Sequence, residues 1–340
     1  MMRVAKYYRN SDVRLEEMPK PHIGGGEILV RSMACGVCGS DVLEWYRIKK
    51  APIVLGHEMA GEVVEVGGDV DHIDVGDRVF VSHHVPCNTC HYCLSGHHTA
   101  CETLHTTNFD PGGFAELVRI PPINIDRGLF KLPATMSFDD ATFIEPLACV
   151  IRGQRNIGID QGSTVLVLGS GISGTLHIVM ANLAGAGRII ASDVHPFRLE
   201  LASRLGADVV VDAREDLPAR IRAANDGRLA DRVILCTGAE SAAYQALECV
   251  ERGGTVLFFA VPTGDLTVPI NQLWRNDVTL TTSYAGAPVD LYQALELIRS
   301  GALPAEELIT HRLPLAETQK GFLLVAEAAE SMKVIIRPNE

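Results

Sequence analysis

A glycine-rich turn in the middle of the chain constrains the fold more than any other feature. The run GSGISG (169–174) directly follows the apolar segment TVLVL and precedes a helical pattern. This order is typical of a βαβ unit whose backbone N–H groups receive a pyrophosphate. The next strand-like segment, RIIASD, ends in Asp193, which could accept hydrogen bonds from an adenosine ribose. We therefore predict a dinucleotide site that includes Gly169, Gly171, Ile172, Gly174, Asp193 and Arg198.

The acid at the end of this strand also bears on the choice of cofactor. The carboxylate of Asp193 would repel a 2′-phosphate, so NAD is expected rather than NADP. Arg198 could instead receive that phosphate, stack on adenine or face solvent. NADP therefore remains the alternative cofactor.

The regions on either side of the turn have different patterns. After it, strand-like runs such as ADVVVD (207–212) alternate with helix-like stretches, which predicts a doubly wound parallel sheet. Before it, short apolar runs between glycine turns, such as GEVVEV (61–66), predict a partly antiparallel, barrel-like β domain. A chain of 340 residues can form two domains. We expect one domain from 1–150 with 288–340, and the other from 151–287.

The charge balance and the N-terminal segment exclude several classes of partner. The net charge of −12 argues against general affinity for nucleic acid or anionic lipid. No stretch has the apolar length of a signal peptide or membrane span, so we expect a cytoplasmic protein that binds no membrane. In a reducing compartment, nine cysteines are better explained by metal binding or catalysis than by disulfides.

Four of these cysteines form a compact group, C-x2-C-x2-C-x7-C, in the lobe 87–101. Four thiolates can surround Zn²⁺ and leave no position open, which describes a structural site. An iron–sulfur cluster is the alternative, but the ferredoxin spacing followed by proline is absent. We predict a structural zinc held by Cys87, Cys90, Cys93 and Cys101.

Three segments far apart in the sequence carry further metal-binding side chains. Cys38 lies in CGVCGSD, His57 and Glu58 in GHE, and Glu145 in IEPL. A thiolate, an imidazole and a carboxylate leave an exchangeable position on zinc, where the metal can act as a Lewis acid. Cys35 and Cys38 also form a C-x-x-C pair, for which thiol–disulfide chemistry is the alternative. Because no thioredoxin-like helix start follows, we interpret Cys35 as a small core residue.

Taken in order, these motifs resemble the zinc-dependent medium-chain dehydrogenase/reductase family, the alcohol dehydrogenases. GHEMAG (56–61), followed by Gly67 and Val70, matches the zinc signature of that family. CGVCGSD, the cysteine lobe, GDRV, EPL and GSGISG extend the resemblance over essentially the whole chain. EPL and LITHRLPL (308–315) are most similar to the sorbitol (polyol) and threonine dehydrogenase branch.

The resemblance implies an α/β protein with a GroES-like, mostly β catalytic domain and a Rossmann domain. It implies two zinc ions per chain, the catalytic one on Cys38, His57 and either Glu58 or Glu145, with the two carboxylates exchanging during turnover. Ser40 matches the hydroxyl that binds the substrate oxygen, so the expected catalytic residues are Ser40, His57 and Glu58. Val261 and Ser283 are added to the expected cofactor contacts. Members generally form dimers or tetramers, so a homo-oligomer, with a homotetramer as one form, is expected.

Two departures from the family pattern concern the proton path and the substrate. Many relatives have a histidine where this chain has Leu43, so protons must leave through the ribose hydroxyls, water or His84. Sorbitol dehydrogenases carry Arg-Tyr where this chain has Ser283-Tyr284, which weakens sorbitol itself as the substrate.

The resulting hypothesis is NAD-linked oxidation of a secondary alcohol of polyol, cyclitol or amino-alcohol type to a ketone. A threonine 3-dehydrogenase-like activity is the alternative substrate class. A non-catalytic NAD-binding protein on the same fold would be expected to lack metal ligands, and none is missing. A zinc-ribbon nucleic-acid adaptor built on 87–101 conflicts with the acidic charge.

Overall fold

Two units make up the chain in the computed structural model, which describes residues 1–340. The first unit comprises Met1–Ala148 with Ala285–Glu340, and the second comprises Cys149–Tyr284. The β-strands, in chain order, are β1 Met2–Arg9, β2 Asp12–Met18, β3 Ile28–Gly36, β4 Ile53–Val54, β5 Glu58–Val66, β6 Arg78–Val81, β7 Leu117–Ile120, β8 Leu129–Lys131, β9 Thr164–Leu168, β10 Arg188–Asp193, β11 Val209–Asp212, β12 Ala230–Leu235, β13 Val250–Phe258, β14 Thr279–Thr282, β15 Ile309–Pro314 and β16 Lys333–Arg337.

The α-helices range in length from four residues to 14. In chain order they are α1 Glu44–Arg47, α2 His91–Leu94, α3 Glu102–Thr106, α4 Pro122–Gly128, α5 Phe138–Ala141, α6 Ile144–Ile157, α7 Ile172–Leu183, α8 Pro196–Arg204, α9 Leu217–Ala224, α10 Glu240–Glu248, α11 Ile270–Arg275, α12 Pro288–Arg299, α13 Ala305–Leu308 and α14 Thr318–Glu327. Short 3₁₀ helices lie at Gly39–Val42, Ile48–Lys50, His98–Ala100 and Leu315–Glu317. None of the helices combines the length and hydrophobicity needed to span a bilayer.

The first unit is built from two mostly antiparallel sheets. One has the order β2-β1-β4, and the other has the order β15-β16-β3-β5-β6-β8, with β7 pairing β3. Many residues of these strands are fully buried, including Val4, Val30 and Val63, which belong to one apolar core cluster. The pairing of β3 with β5 sets Gly36 opposite Glu58. This register brings the CGVCGSD and GHE segments to the same end of the two strands.

The second unit is a six-stranded parallel sheet in the order β11-β10-β9-β12-β13-β14. Its central strand β9 is buried along its whole length, which explains the uninterrupted apolar run TVLVL. Strand order reverses between β9 and β12, and ligands of such sheets bind at the carboxyl ends next to that point. The α/β class and the doubly wound sheet expected from the sequence are confirmed.

Candidate active site

Cys38 is held by the turn that follows β3. It caps the 3₁₀ helix Gly39–Val42, with its Sγ accepting a hydrogen bond from the Ser40 N–H at 3.4 Å. The Asp41 carboxylate in turn accepts from the Cys38 N–H at 3.2 Å. These reciprocal bonds fix the direction of the thiol because they use both the side chain and the backbone of the same residue.

Three of the predicted ligands converge at this turn. One ligand atom each from Cys38, His57 and Glu58 lies within 4.8 Å of the others. The second carboxylate of the sequence hypothesis, Glu145, is buried in the first turn of α6 and is not a member of this group. The thiol, imidazole and carboxylate are a donor set that zinc accepts, so the residues present fit a zinc ion.

A fully buried carboxylate lies behind His57. Asp41 Oδ1 is 3.3 Å from His57 Nδ1 and 3.4 Å from a guanidinium nitrogen of Arg47. Burial lowers the pKa of His57, but Asp41 and the Cys38 thiol outweigh it and raise that pKa well above its usual value. Burial raises the pKa of Asp41, whereas His57 and Arg47 bring it below its usual value. The site therefore attracts positive charge. A proton held on Nδ1 by Asp41 leaves the Nε2 lone pair for a metal.

Arg47 also fixes the residue expected to bind the substrate oxygen. Its Nη2 donates to Ser40 Oγ at 3.1 Å, and its Nε donates to the Ser40 carbonyl at 3.0 Å. Ser40 is half-buried. With one lone pair of Oγ occupied by Arg47, the hydroxyl hydrogen is directed away from the guanidinium.

Two histidines pack beside His57. The His83 ring centre lies 4.9 Å from that of His57 and 3.9 Å from that of His84. Burial, together with the positive field of His57, lowers the pKa of His84 to about 4. His84 is therefore neutral at neutral pH.

Cys35 is not a member of this group of ligands. Its side chain is fully buried in the apolar core, and burial raises its pKa well above the usual value. A thiol of this kind is unreactive, which favours the interpretation of Cys35 as a core residue over a Cys35–Cys38 redox pair.

The four cysteines of the lobe 87–101 also converge. Their sulfur atoms all lie within 4.8 Å of one another, and none forms a disulfide. Hydrogen bonds from Thr89 and from the Cys90 N–H lower the pKa of Cys87 to about 5. Four sulfurs that meet without a disulfide are suited to a tetrahedral zinc ion, and the residues present fit one.

The glycine-rich turn has the geometry of a dinucleotide site. Gly169 has a φ of +88°, and a Cβ on Gly174 would lie 1.9 Å from the Gly169 carbonyl oxygen. Both positions therefore require glycine. Asp193 accepts hydrogen bonds from the Ser170 N–H at 2.8 Å and the His195 N–H at 2.9 Å.

The other predicted cofactor residues lie around the same edge of the sheet. An Arg198 guanidinium nitrogen is 3.8 Å from the Asp193 carboxylate. Ile172 begins α7. Val261 and Ser283 follow the carboxyl ends of β13 and β14, and because the sheet is parallel these ends lie on the edge that carries the glycine turn.

Three residues that support the site were not identified from the sequence. Asp41 and Arg47 act through hydrogen bonds, and Lys333 lies with its Nζ 2.5 Å from Glu58 Oε2. The acid of CGVCGSD, three residues after the thiol, was an available signal for Asp41. No signal pointed to Lys333, which reaches Glu58 from 275 residues further along the chain.

Comparisons with known proteins agree with this architecture. Residues 24–134 match the family model described as alcohol dehydrogenase GroES-like domain, and residues 174–300 match zinc-binding dehydrogenase. Sorbitol dehydrogenase of Bacillus subtilis is 30% identical, over 99% of this chain and 98% of that protein. L-threonine 3-dehydrogenase of Pyrococcus horikoshii is 32% identical, over 98% and 95%. A crystal structure of a zinc-binding dehydrogenase from Sinorhizobium meliloti, bound to NADP, aligns with a TM-score of 0.88 at 28% identity, over 99% of both chains. The chain belongs to the zinc-dependent medium-chain alcohol dehydrogenase family.

Proposed function

We propose that this oxidoreductase interconverts a secondary alcohol, of polyol, cyclitol or amino-alcohol type, and its ketone, with NAD as the hydride acceptor. The observation that carries the proposal is the convergence of Cys38, His57 and Glu58 within 4.8 Å, with Asp41 behind His57. Two relatives support the substrate class, because they are named for sorbitol, a polyol, and for L-threonine, whose 3-hydroxyl is a secondary alcohol.

Two zinc ions would be bound by the chain's own side chains. Cys38, His57 and either Glu58 or Glu145 would hold one, with the two carboxylates exchanging during turnover. The cysteines of the lobe 87–101 would hold the other. A zinc ion at Cys38 supplies a Lewis acid that polarises the substrate oxygen. Asp41 contributes by keeping Nδ1 of His57 protonated and its ring in one orientation.

Ser40 would donate a proton to the substrate oxygen during reduction and accept one during oxidation. Since Arg47 donates to Ser40 Oγ, the hydroxyl hydrogen can be donated to the oxygen of a ketone during reduction. In the oxidation direction, Oγ accepts a proton and must pass its own onward. Leu43 offers no acceptor, so we propose that the proton leaves through water, the ribose hydroxyls or His84, whose ring is neutral at neutral pH.

NAD is the proposed cofactor, with contacts from the glycine turn, Asp193, Arg198, Val261 and Ser283. Asp193 is the buried last residue of β10, and a carboxylate at the end of this strand repels a 2′-phosphate, which supports NAD. Arg198 is held beside that carboxylate, so its positive charge is partly balanced. The ratio of kcat/KM with the two cofactors tests the choice. A ratio that favours NADP would contradict it.

We further propose that the chain forms a homo-oligomer, a dimer or a tetramer. Strand β14 lies at the edge of its sheet, and the preceding helix α11 carries Trp274 at 82% and Ile270 at 63% exposure. A strand edge beside exposed apolar side chains can pair with a second copy. Light scattering of the eluting protein measures the mass, and a monomer mass would refute the proposal.

The cytoplasm is the proposed location. The four thiols of the lobe must stay reduced to bind zinc, and all nine cysteines of the chain are free. Cell fractionation with thiol labelling tests this, and recovery of an oxidised, secreted protein would contradict it.

The activity is tested with a panel of polyols, cyclitols, threonine and simple secondary alcohols, each assayed with NAD⁺ and NADP⁺. We expect NADH formation with at least one secondary alcohol by zinc-loaded protein. A fully metal-loaded protein that oxidises none of these alcohols would refute the proposal. Threonine as the best substrate would instead favour the threonine 3-dehydrogenase-like alternative, which is supported by the resemblance of His84 to a catalytic histidine position in threonine dehydrogenases.

A further inference from the structure

A buried lysine lies against the Glu58 carboxylate. Lys333, the first residue of β16, is 1% exposed, and its Nζ is 2.5 Å from Glu58 Oε2. The same ammonium donates to the Thr142 carbonyl at 3.1 Å and lies 5.0 Å from the centre of the Phe143 ring. A carboxylate, a carbonyl oxygen and an aromatic face therefore surround the buried charge.

A glycine makes room for this ion pair. A Cβ on Gly36 would lie 2.0 Å from Glu58 Oε2 and 2.5 Å from Lys333 Nζ. Gly36 pairs with Glu58 across β3 and β5, and it lies two residues before Cys38. The lysine thus reaches the same carboxylate that converges with Cys38 and His57.

The Lys333 ammonium and a metal ion at this position are both attracted to the negative charge of the Glu58 carboxylate. The ammonium withdraws charge from the Glu58 oxygens and repels a nearby divalent cation. It also neutralises Glu58 when no metal is bound, and that stabilises the metal-free site because an unpaired buried carboxylate is costly. Both effects weaken Glu58 as a metal ligand.

We propose that Lys333 is a positioning residue that competes with the metal for Glu58 and so keeps this carboxylate exchangeable. The inference rests on the proposed function, since it requires a metal at Cys38, His57 and Glu58. It gives Lys333 a role opposite to that of Asp41, because Asp41 strengthens a ligand whereas Lys333 weakens one.

The test is the rate at which zinc-loaded protein releases zinc into excess chromogenic chelator, with total zinc per chain counted first by mass spectrometry. Lys333→Gln keeps a hydrogen-bond donor and removes the charge. We expect release from the Cys38 site to slow about tenfold or more, while the metal-free variant melts at a lower temperature than metal-free wild type. If the Lys333–Glu58 contact only supported the structure of the site, its loss in Lys333→Gln would make zinc release faster. The exposed Lys320→Gln is the matched control and should release zinc at the wild-type rate.

Faster or unchanged release from Lys333→Gln would overturn the proposal. If Lys333→Gln does not fold, Lys333→Arg tests the same competition, because the arginine keeps the positive charge beside Glu58. Zinc release from Lys333→Arg at the wild-type rate or faster supports competition, and slower release contradicts it.

In a Glu58→Gln background the effect of Lys333→Gln on zinc release should largely disappear, since the lysine acts through Glu58. An undiminished effect would contradict this route. A wild-type chain that binds zinc only at the cysteine lobe would refute the proposed metal site instead.

Discussion

One buried histidine contributes to the acid sensitivity of the second unit. His177 in α7 is fully buried, with its ring edge-on to Phe259 at a centroid distance of 4.6 Å. Its Nδ1 lies 3.2 Å from the Gln154 side-chain nitrogen. Burial lowers the pKa of His177 from 6.5 to about 3. The folded protein therefore holds this ring in its neutral form.

The direction of the pH effect follows from that shift. An unfolded chain protonates this histidine below its ordinary pKa of 6.5, whereas the folded chain does not do so until about pH 3. The contribution of neutral His177 to the free energy of unfolding is fully present above its pKa in the unfolded chain. This contribution is lost as the pH falls toward the pKa of His177 in the folded chain. At about pH 5 the loss from this single group is about 2 kcal/mol, and it grows as the pH falls further.

Urea unfolding at about pH 8 and about pH 5 measures this loss. His177→Met fills a similar volume and does not titrate, so its stability should fall by about 2 kcal/mol less than that of wild type between the two conditions. The other acid-sensitive groups are common to both proteins and cancel in the difference. His72→Met, at an exposed position, is the control and should behave as wild type. A His177→Met protein that loses as much stability as wild type would refute the reasoning.

Three further predictions concern the site. Asp41→Asn should weaken zinc binding at Cys38 by about 10- to 100-fold in a chelator competition; unchanged affinity would show that Asp41 does not support His57. Gly174→Ala should abolish tight NAD binding in a fluorescence titration, because its Cβ would lie 1.9 Å from the Gly169 oxygen, whereas Gly68→Ala, with open space around it, should bind normally. Ser40→Ala should lower kcat by about 100-fold or more; an unaltered kcat would remove Ser40 from the proton path.

The second unit was the more predictable from sequence. Its central strands are buried on both faces, so they contain the unbroken apolar runs VLVL (165–168) and IIA (189–191). The required glycines at 169 and 174 mark the turn between strand and helix. These are local signals, and the strands that follow repeat them. The N-terminal hairpin of β1 and β2 was not anticipated, because charged residues on its outer face hide the alternation.

The candidate site was predictable as a set of residue types but not as an arrangement. Cys38, His57 and Glu58 were identified from their motifs, yet only the pairing of β3 with β5 shows that Glu58, and not Glu145, lies with the other two. Lys333 has no sequence signal, because its contact with Glu58 depends on the position of β16 beside β3. Supporting contacts of this kind depend on tertiary structure, which a single sequence does not reveal.

Zinc per chain in wild type and in Cys38→Ser tests the central claim most directly. We expect two zinc ions per wild-type chain, one per Cys38→Ser chain, and no alcohol oxidation by the variant, with Cys35→Ser as the control that keeps both ions. A Cys38→Ser protein with the same zinc content as wild type would contradict the assignment of Cys38 as a metal ligand.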